Sequence, residues 1–158
     1  MKLTILCVGK LSAAWLQDGA SDYTGRIHHY LPLTVEELKE VKSGGKKADV
    51  QQIRQREGES LLQKIPASAF VVVLDERGKG IESEELSRFI GKHMLDGTQE
   101  LVFLIGGAYG LSDAVKQRAN LTLSLSAMTM THQMARLLLL EQIYRAMTIL
   151  RNEPYHNR

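Results

Sequence analysis

The sequence predicts a single α/β domain built on a mainly parallel sheet flanked by helices. Three observations carry that prediction. Short aliphatic runs alternate with longer mixed stretches along the chain; two runs, 69–74 (AFVVVL) and 101–105 (LVFLI), are apolar without interruption, as strands covered on both faces require; and glycine-bearing turns follow the runs. No composition break divides the 158 residues, so residues 1–158 are expected to form one domain.

The elements follow in order. Residues 3–8 (LTILCV) read as a strand ending at Gly9. Residues 12–30, where Trp15, Leu16, Tyr23 and Ile27 stand among polar positions, read as a helix. Pro32 precedes a strand candidate at 33–38, and 43–47 (SGGKK) has the glycine pair and charges of a surface loop. Residues 49–64 are rich in helix formers, with Val50, Ile53, Leu61 and Leu62 as core contacts, and Pro66 denies the helix a further backbone donor. The strand at 69–74 leaves through a polar turn, 75–80 (DERGKG), and Ser83 followed by Glu84 and Glu85 starts a helix that runs to about Leu95. The strand at 101–105 enters 106–110 (GGAYG), after which Ser112 caps a short helix through Arg118. Residues 121–125 form the last strand. The final helix, 133–150, places Leu137, Leu140, Tyr144 and Met147 on one stripe, widened by Leu138 and Leu139. So wide a face needs two burial partners, the sheet and a second subunit, two-fold dimers being the commonest oligomers.

Composition excludes several classes. Twenty Lys and Arg against eighteen Asp and Glu give a net charge of +2, too small to argue nucleic-acid binding from the total. The one cysteine, Cys7, permits no internal disulfide and no multi-cysteine zinc site, and fits a reducing compartment. The longest aliphatic stretch, 137–140, is far short of a membrane span, and the N-terminus lacks a signal-peptide pattern, so a soluble cytoplasmic protein is expected.

Ligands of open parallel sheets bind beyond the carboxyl ends of the strands, here the loops at 74–80, 106–110 and 124–131. Gly106 and Gly107 let a ligand approach the backbone, but GxGxxG spacing and a Walker lysine are absent, and a tight turn explains the glycines equally well. Residues 124–132 (SLSAMTMTH) offer donors and acceptors to a flat heterocycle; the alternative is a strand-to-helix connection capped by Thr129 or Thr131. His132 and Arg136 stand four apart and project from one helix face at the same edge, which suits contact with an anion or a base. A packed histidine and an ion-paired arginine are the alternatives, and a lone histidine defines no metal site. From 114 onward Lys116, Arg118, Arg136, Arg145, Arg151 and Arg158 outnumber Glu141 and Glu153. The end of the chain sets Tyr155, His156 and Arg158 behind Pro154, a group suited to stacking on an RNA base, unless the tail is frayed.

These segments together, KLTILCVGK, KKADVQQIRQREGE, VVVLDERGK, FLIGGAYGL, LSLSAMTMTHQMARLLLLEQIYRA and the terminal EPYH, resemble in order and spacing the small SPOUT-class methyltransferases of the RlmH type, which methylate N3 of a pseudouridine in bacterial 23S rRNA. The similarity spans essentially the whole chain. It implies a deep C-terminal trefoil knot, a homodimer, and S-adenosyl-L-methionine as methyl donor. It also implies a donor pocket of Leu74, Gly106, Leu125, Ser126, Ala127, Met128, Thr129 and Met130. His132, Arg136, Tyr155 and His156 match positions near the methyl group and the RNA, the tail completing the site of the other subunit. For the chemistry the expectation is that His156, or a water it orients, helps remove the N3 proton while Tyr155 stacks on or aligns the base and Arg136 neutralises the developing negative charge. The implied substrate is 23S rRNA in the assembled ribosome. The sequence departs from the family at Thr131, where many relatives have proline; threonine can cap the helix but leaves the turn into His132 less rigid. The competing readings are a non-catalytic RNA- or ribosome-binding factor, separated by donor binding, a SPOUT enzyme acting on another base or on transfer RNA, and a nucleotide-binding regulator.

Overall fold

The computed structural model describes residues 1–42 and 49–157; the SGGKK segment expected to be a surface loop and the terminal Arg158 lie outside the described residues. The elements run β1 (Lys2–Val8), α1 (Ala14–Ile27), β2 (Leu33–Leu38), α2 (Val50–Lys64), β3 (Phe70–Gly80), α3 (Ser83–Leu95), β4 (Glu100–Ile105), α4 (Asp113–Arg118), β5 (Leu121–Ser124) and α5 (His132–Leu150). The five strands form one sheet in the order β2-β1-β4-β3-β5, and every neighbouring pair is parallel.

The pleat divides the apolar side chains between two faces. Leu3, Ile5 and Cys7 of β1 and Leu101, Phe103 and Ile105 of β4 pack on one side with α1, α3 and α5. Leu6, Val8, Val71, Val73, Val102 and Leu104 pack on the other side, with Leu61 of α2 and Val115 of α4. Each such buried aliphatic side chain contributes about 1.5–3 kcal/mol by leaving water. Burial also pushes the Cys7 thiol up to about 11, so it stays an unreactive thiol in the core. Three helices start on side-chain caps: Asp49 accepts from the Gln52 N–H, Ser112 from Val115 and Thr131 from Met134.

Two expectations are corrected. The polar 75–80 segment is not a turn leaving β3 but its continuation. Pairing with β4 ends at Val73; beyond it β3 pairs only with β5, and the register breaks so that Leu123 faces both Leu74 and Lys79. The extra residues bulge outward, which accounts for their polarity, and a Cβ at Gly78 would come within 2.8 Å of the Leu123 nitrogen. On α5 the buried seam is Arg136, Leu139, Leu140, Ile143, Ala146, Met147 and Thr148; it keeps Leu139, Leu140 and Met147 of the expected face, while Leu137, Leu138 and Tyr144 are only half-buried. The helix lies between α1 and α3 as well as on the sheet, and that groove rotates its contact face. Ser87 of α3 donates to the buried Ala146 carbonyl at 2.9 Å and thereby fixes the rotation. The Ser83 hydroxyl, at the start of α3, likewise donates to Gln142 of α5 at 2.6 Å. No described helix is long and apolar enough to cross a membrane.

Candidate functional site

The exits of β1, β4, β3 and β5 open at one edge of the sheet on a cleft of about 910 Å³. The three segments picked out by the sequence converge on it, the first of them as the bulged end of β3. Leu74, Gly106, Leu125, Ser126, Met128, Thr129 and Met130 all line the cleft; Ala127 belongs to the same loop but is not among the lining residues.

Local geometry explains each wall. Gly110 has φ +82° and its N–H closes a tight turn on the Gly107 carbonyl at 3.0 Å. A Cβ at Gly106 would meet the Gly110 carbonyl carbon at 2.8 Å, so the loop holds its shape only with glycine there. In the 124–131 loop the serine hydroxyls are spent on the backbone. Ser124 donates to the Ser126 carbonyl at 2.9 Å, and the Ser126 hydroxyl accepts from the Met128 N–H at 2.9 Å. The Thr129 hydroxyl reaches across to Glu76 at 2.8 Å. Thr131 caps α5, so the loop is both a capped connection and a cleft wall. Beneath the rim, burial would raise the Asp75 carboxyl, but Lys116 at 2.6 Å and the Arg77 N–H at 2.9 Å outweigh it and hold the group below its ordinary range.

His132 lines the cleft with its Nε2 3.3 Å from the Glu40 carboxylate. Arg136, one turn on, does not join it. Its side chain is 1% exposed, donates to the Gly9 carbonyl at 2.5 Å, lies 3.3 Å from Glu37, and lines a second cavity of about 310 Å³ beside β1 and β2. The ion-paired alternative for Arg136 is the one the geometry contains.

Tyr155 and His156 sit elsewhere again. The tail folds back at Asn152 (φ 54°) and docks on the C-terminal half of α5 rather than fraying. The Tyr155 hydroxyl donates to Glu141 at 3.1 Å and shares a hydrogen bond with Tyr23 at 3.3 Å, while Arg145 lies 4.8 Å over its ring. Burial, with those two partners, pushes the Tyr155 phenol far above its ordinary value, so it remains a hydrogen-bond donor. His156 lies 3.2 Å from Glu84 and 3.4 Å from Arg145. Thirteen residues of helix separate His132 from Arg145, about 20 Å at the helical rise. One protomer therefore does not bring the four predicted residues together.

The sequence reading does not reach Glu57, although it lies inside the quoted KKADVQQIRQREGE segment. It is 5% exposed, accepts from the Val41 N–H at 3.1 Å, and among the described residues has no partner for its second oxygen. A Cβ at Gly107 would stand 2.9 Å from that oxygen, so α2 backs the glycine loop directly. Burial raises the Glu57 carboxyl despite the Val41 N–H, which favours its neutral form. Helical spacing gives no signal for such a residue, because a glutamate among polar neighbours reads as a solvated face. Among the described residues no group of three or more His, Cys, Asp or Glu side chains could hold a metal ion.

Comparison with known proteins adds the following. A family model described as "Predicted SPOUT methyltransferase" matches residues 1–156. The chain is 57% identical over 158 residues to "Ribosomal RNA large subunit methyltransferase H" of Syntrophotalea carbinolica, covering 100% of both chains. It is 54% identical over 157 residues to the protein of the same name from Trichlorobacter lovleyi, covering 99% of this chain and 100% of that one. A solved structure described as a probable methylase family protein from Haemophilus influenzae Rd KW20 superposes with a TM-score of 0.55 at 13% identity, over 99% of this chain and 70% of the other, a likeness of fold alone.

Proposed function

The chain belongs to the SPOUT methyltransferase family, and from that premise we propose that it transfers a methyl group from S-adenosyl-L-methionine to N3 of a pseudouridine in 23S rRNA, acting as a homodimer on the ribosome in the cytoplasm. The observation that carries this reading is the meeting of the bulged end of β3 with the 106–110 and 124–131 loops around one cleft. The residues fit the donor: Gly106 keeps the floor open to backbone approach, and Leu74, Leu125, Ser126, Met128, Thr129 and Met130 provide apolar walls interleaved with backbone donors and acceptors. When bound, the sulfonium supplies a methyl group already activated toward nucleophiles.

What the protein must add is alignment of the base and removal of its N3 proton. His132 stands in the cleft where a base would enter. Tyr155 and His156 lie about 20 Å along α5 from it, so the tail of a second copy supplies them to this cleft. There His156, or a water it orients, takes the proton that N3 loses as the N–CH3 bond forms, and Tyr155 aligns the base through its ring and its protonated hydroxyl. Arg136 contributes at one remove, by fixing the Gly9 turn beside α5. A C-terminal knot belongs to the same proposal: after edge strand β5 the chain doubles back to pack α5 on α1 and β4, a path that a knotted C-terminus needs.

Donor binding separates this reading from a non-catalytic ribosome-binding factor. Calorimetric titration with S-adenosylmethionine is expected to show saturable binding that Gly106→Val weakens at least tenfold, because the new side chain collides with residues 110 and 111. Absence of binding to the wild-type protein would contradict the proposal.

A further inference from the structure

The donor reading occupies the β4-β3-β5 side of the cleft. The β1 side is built differently. Ser12, Trp15 and Leu16, from the β1 exit and the first turns of α1, line it, with Arg54 of α2 and Tyr109 at the tip of the glycine loop. Trp15 is 61% exposed and Tyr109 41%. Of the large hydrophobic side chains left exposed, Trp15, Tyr109, Met128 and Met134 all line this one cleft. An indole that most of the fold leaves in water contributes little to folding, which points to a role in contact.

The charges beside it are also available. The Arg54 Nε donates to the Tyr109 carbonyl at 2.5 Å, which ties the guanidinium to the backbone of the glycine loop at the mouth. Among the described residues no carboxylate forms an ion pair with Arg54, whereas Lys116 is neutralised by Asp75. Aromatic faces beside a guanidinium that no carboxylate neutralises suit a single-stranded polynucleotide, with bases stacking on rings and a phosphate meeting the arginine.

We propose that Trp15, Tyr109 and Arg54 form a platform for the RNA nucleotide that flanks the target base, Trp15 stacking on that base and Arg54 meeting its phosphate. The proposal rests on the methyltransferase reading above, since it takes the target base to enter the same cleft. It makes these three residues determinants of substrate binding and leaves donor binding to the other side.

Trp15 is the only tryptophan in the chain, so intrinsic fluorescence of the full-length protein reports on this spot. Titration with a protein-free single-stranded RNA spanning the target loop is expected to quench it saturably. In methyl transfer to ribosomes that lack the modification, Trp15→Ala is expected to raise the KM for ribosomes about tenfold or more, with the dissociation constant for S-adenosylmethionine unchanged and Trp15→Phe recovering most of the loss. Three results would overturn the platform: fluorescence indifferent to RNA with an unchanged ribosome KM; a Trp15→Ala defect confined to donor binding; or dissociation of a dimer in sedimentation by Trp15→Ala, which would assign the indole to a second copy. Failure of the underlying reading looks different, because the wild-type protein would then transfer no methyl group at all.

Discussion

Glu57 shows how a single buried side chain carries a consequence for pH. Its carboxyl is raised by burial, so below the ordinary glutamate range the folded and unfolded chains are both protonated and nothing is lost. As pH rises from there toward the folded-state value, the unfolded chain ionises first and stability falls. Glu57→Gln keeps the size and an acceptor for the Val41 N–H but cannot ionise. Thermal melts of the two proteins are expected to coincide at about pH 4 and to separate in favour of the variant by about pH 8; a wild-type advantage at the alkaline end would contradict a Glu57 carboxyl raised by burial. Its neighbour Gly58 allows α2 to touch the cap of α4, since a Cβ there would fall on the Ser112 hydroxyl. Gly58→Ala is therefore expected to cost about 1–3 kcal/mol in urea unfolding by driving Ser112 off its cap. Arg136→Met tests whether that arginine acts on the fold or on the base. Loss of the Gly9 carbonyl bond and of the Glu37 pair predicts a fall in stability of about 2–4 kcal/mol, whereas unchanged stability with a large fall in kcat would return Arg136 to the reaction.

At the scale of elements, the turn into α5 rests on Thr131. Thr131 has φ −65°, a value proline also adopts, and its hydroxyl caps the Met134 N–H at 3.2 Å. Thr131→Ala is expected to lose about 1 kcal/mol. Thr131→Pro exchanges the cap for a stiffer turn, so its unfolding free energy should fall within about 1 kcal/mol of wild type; a loss well beyond that would show that the φ match is not sufficient. Most elements were legible because their signals are local. The uninterrupted runs at β3 and β4 and the caps at Ser112 and Thr131 depend only on neighbours in sequence. Two features were not. The extension of β3 through DERGKG depends on β5 arriving from more than forty residues away to pair with it, and the seam of α5 depends on a groove made by α1 and α3.

At the scale of the whole molecule, the site was legible in its loops and not in its assembly. Leu74, Gly106 and most of residues 125–130 share a cleft because strand exits of a parallel sheet must share an edge. His132 and Arg136 stand one turn apart on α5, yet burial sends one into the cleft and the other to Gly9. Tyr155 and His156 lie a helix length away in the same chain, so their joint action with His132 requires a partner. Coexpression of a Gly106→Val chain with a chain truncated after Glu153 is expected to yield mixed dimers that regain one working site, while each variant alone is inactive. Absence of rescue in mixed dimers shown to form would contradict the composite site. The central claim is tested most directly by methyl transfer from labelled S-adenosylmethionine to assembled ribosomes lacking this modification, with the product nucleoside identified by mass spectrometry. Label recovered as N3-methylpseudouridine in 23S rRNA is the predicted result; ribosome binding without transfer, or label on a different nucleoside, would contradict it.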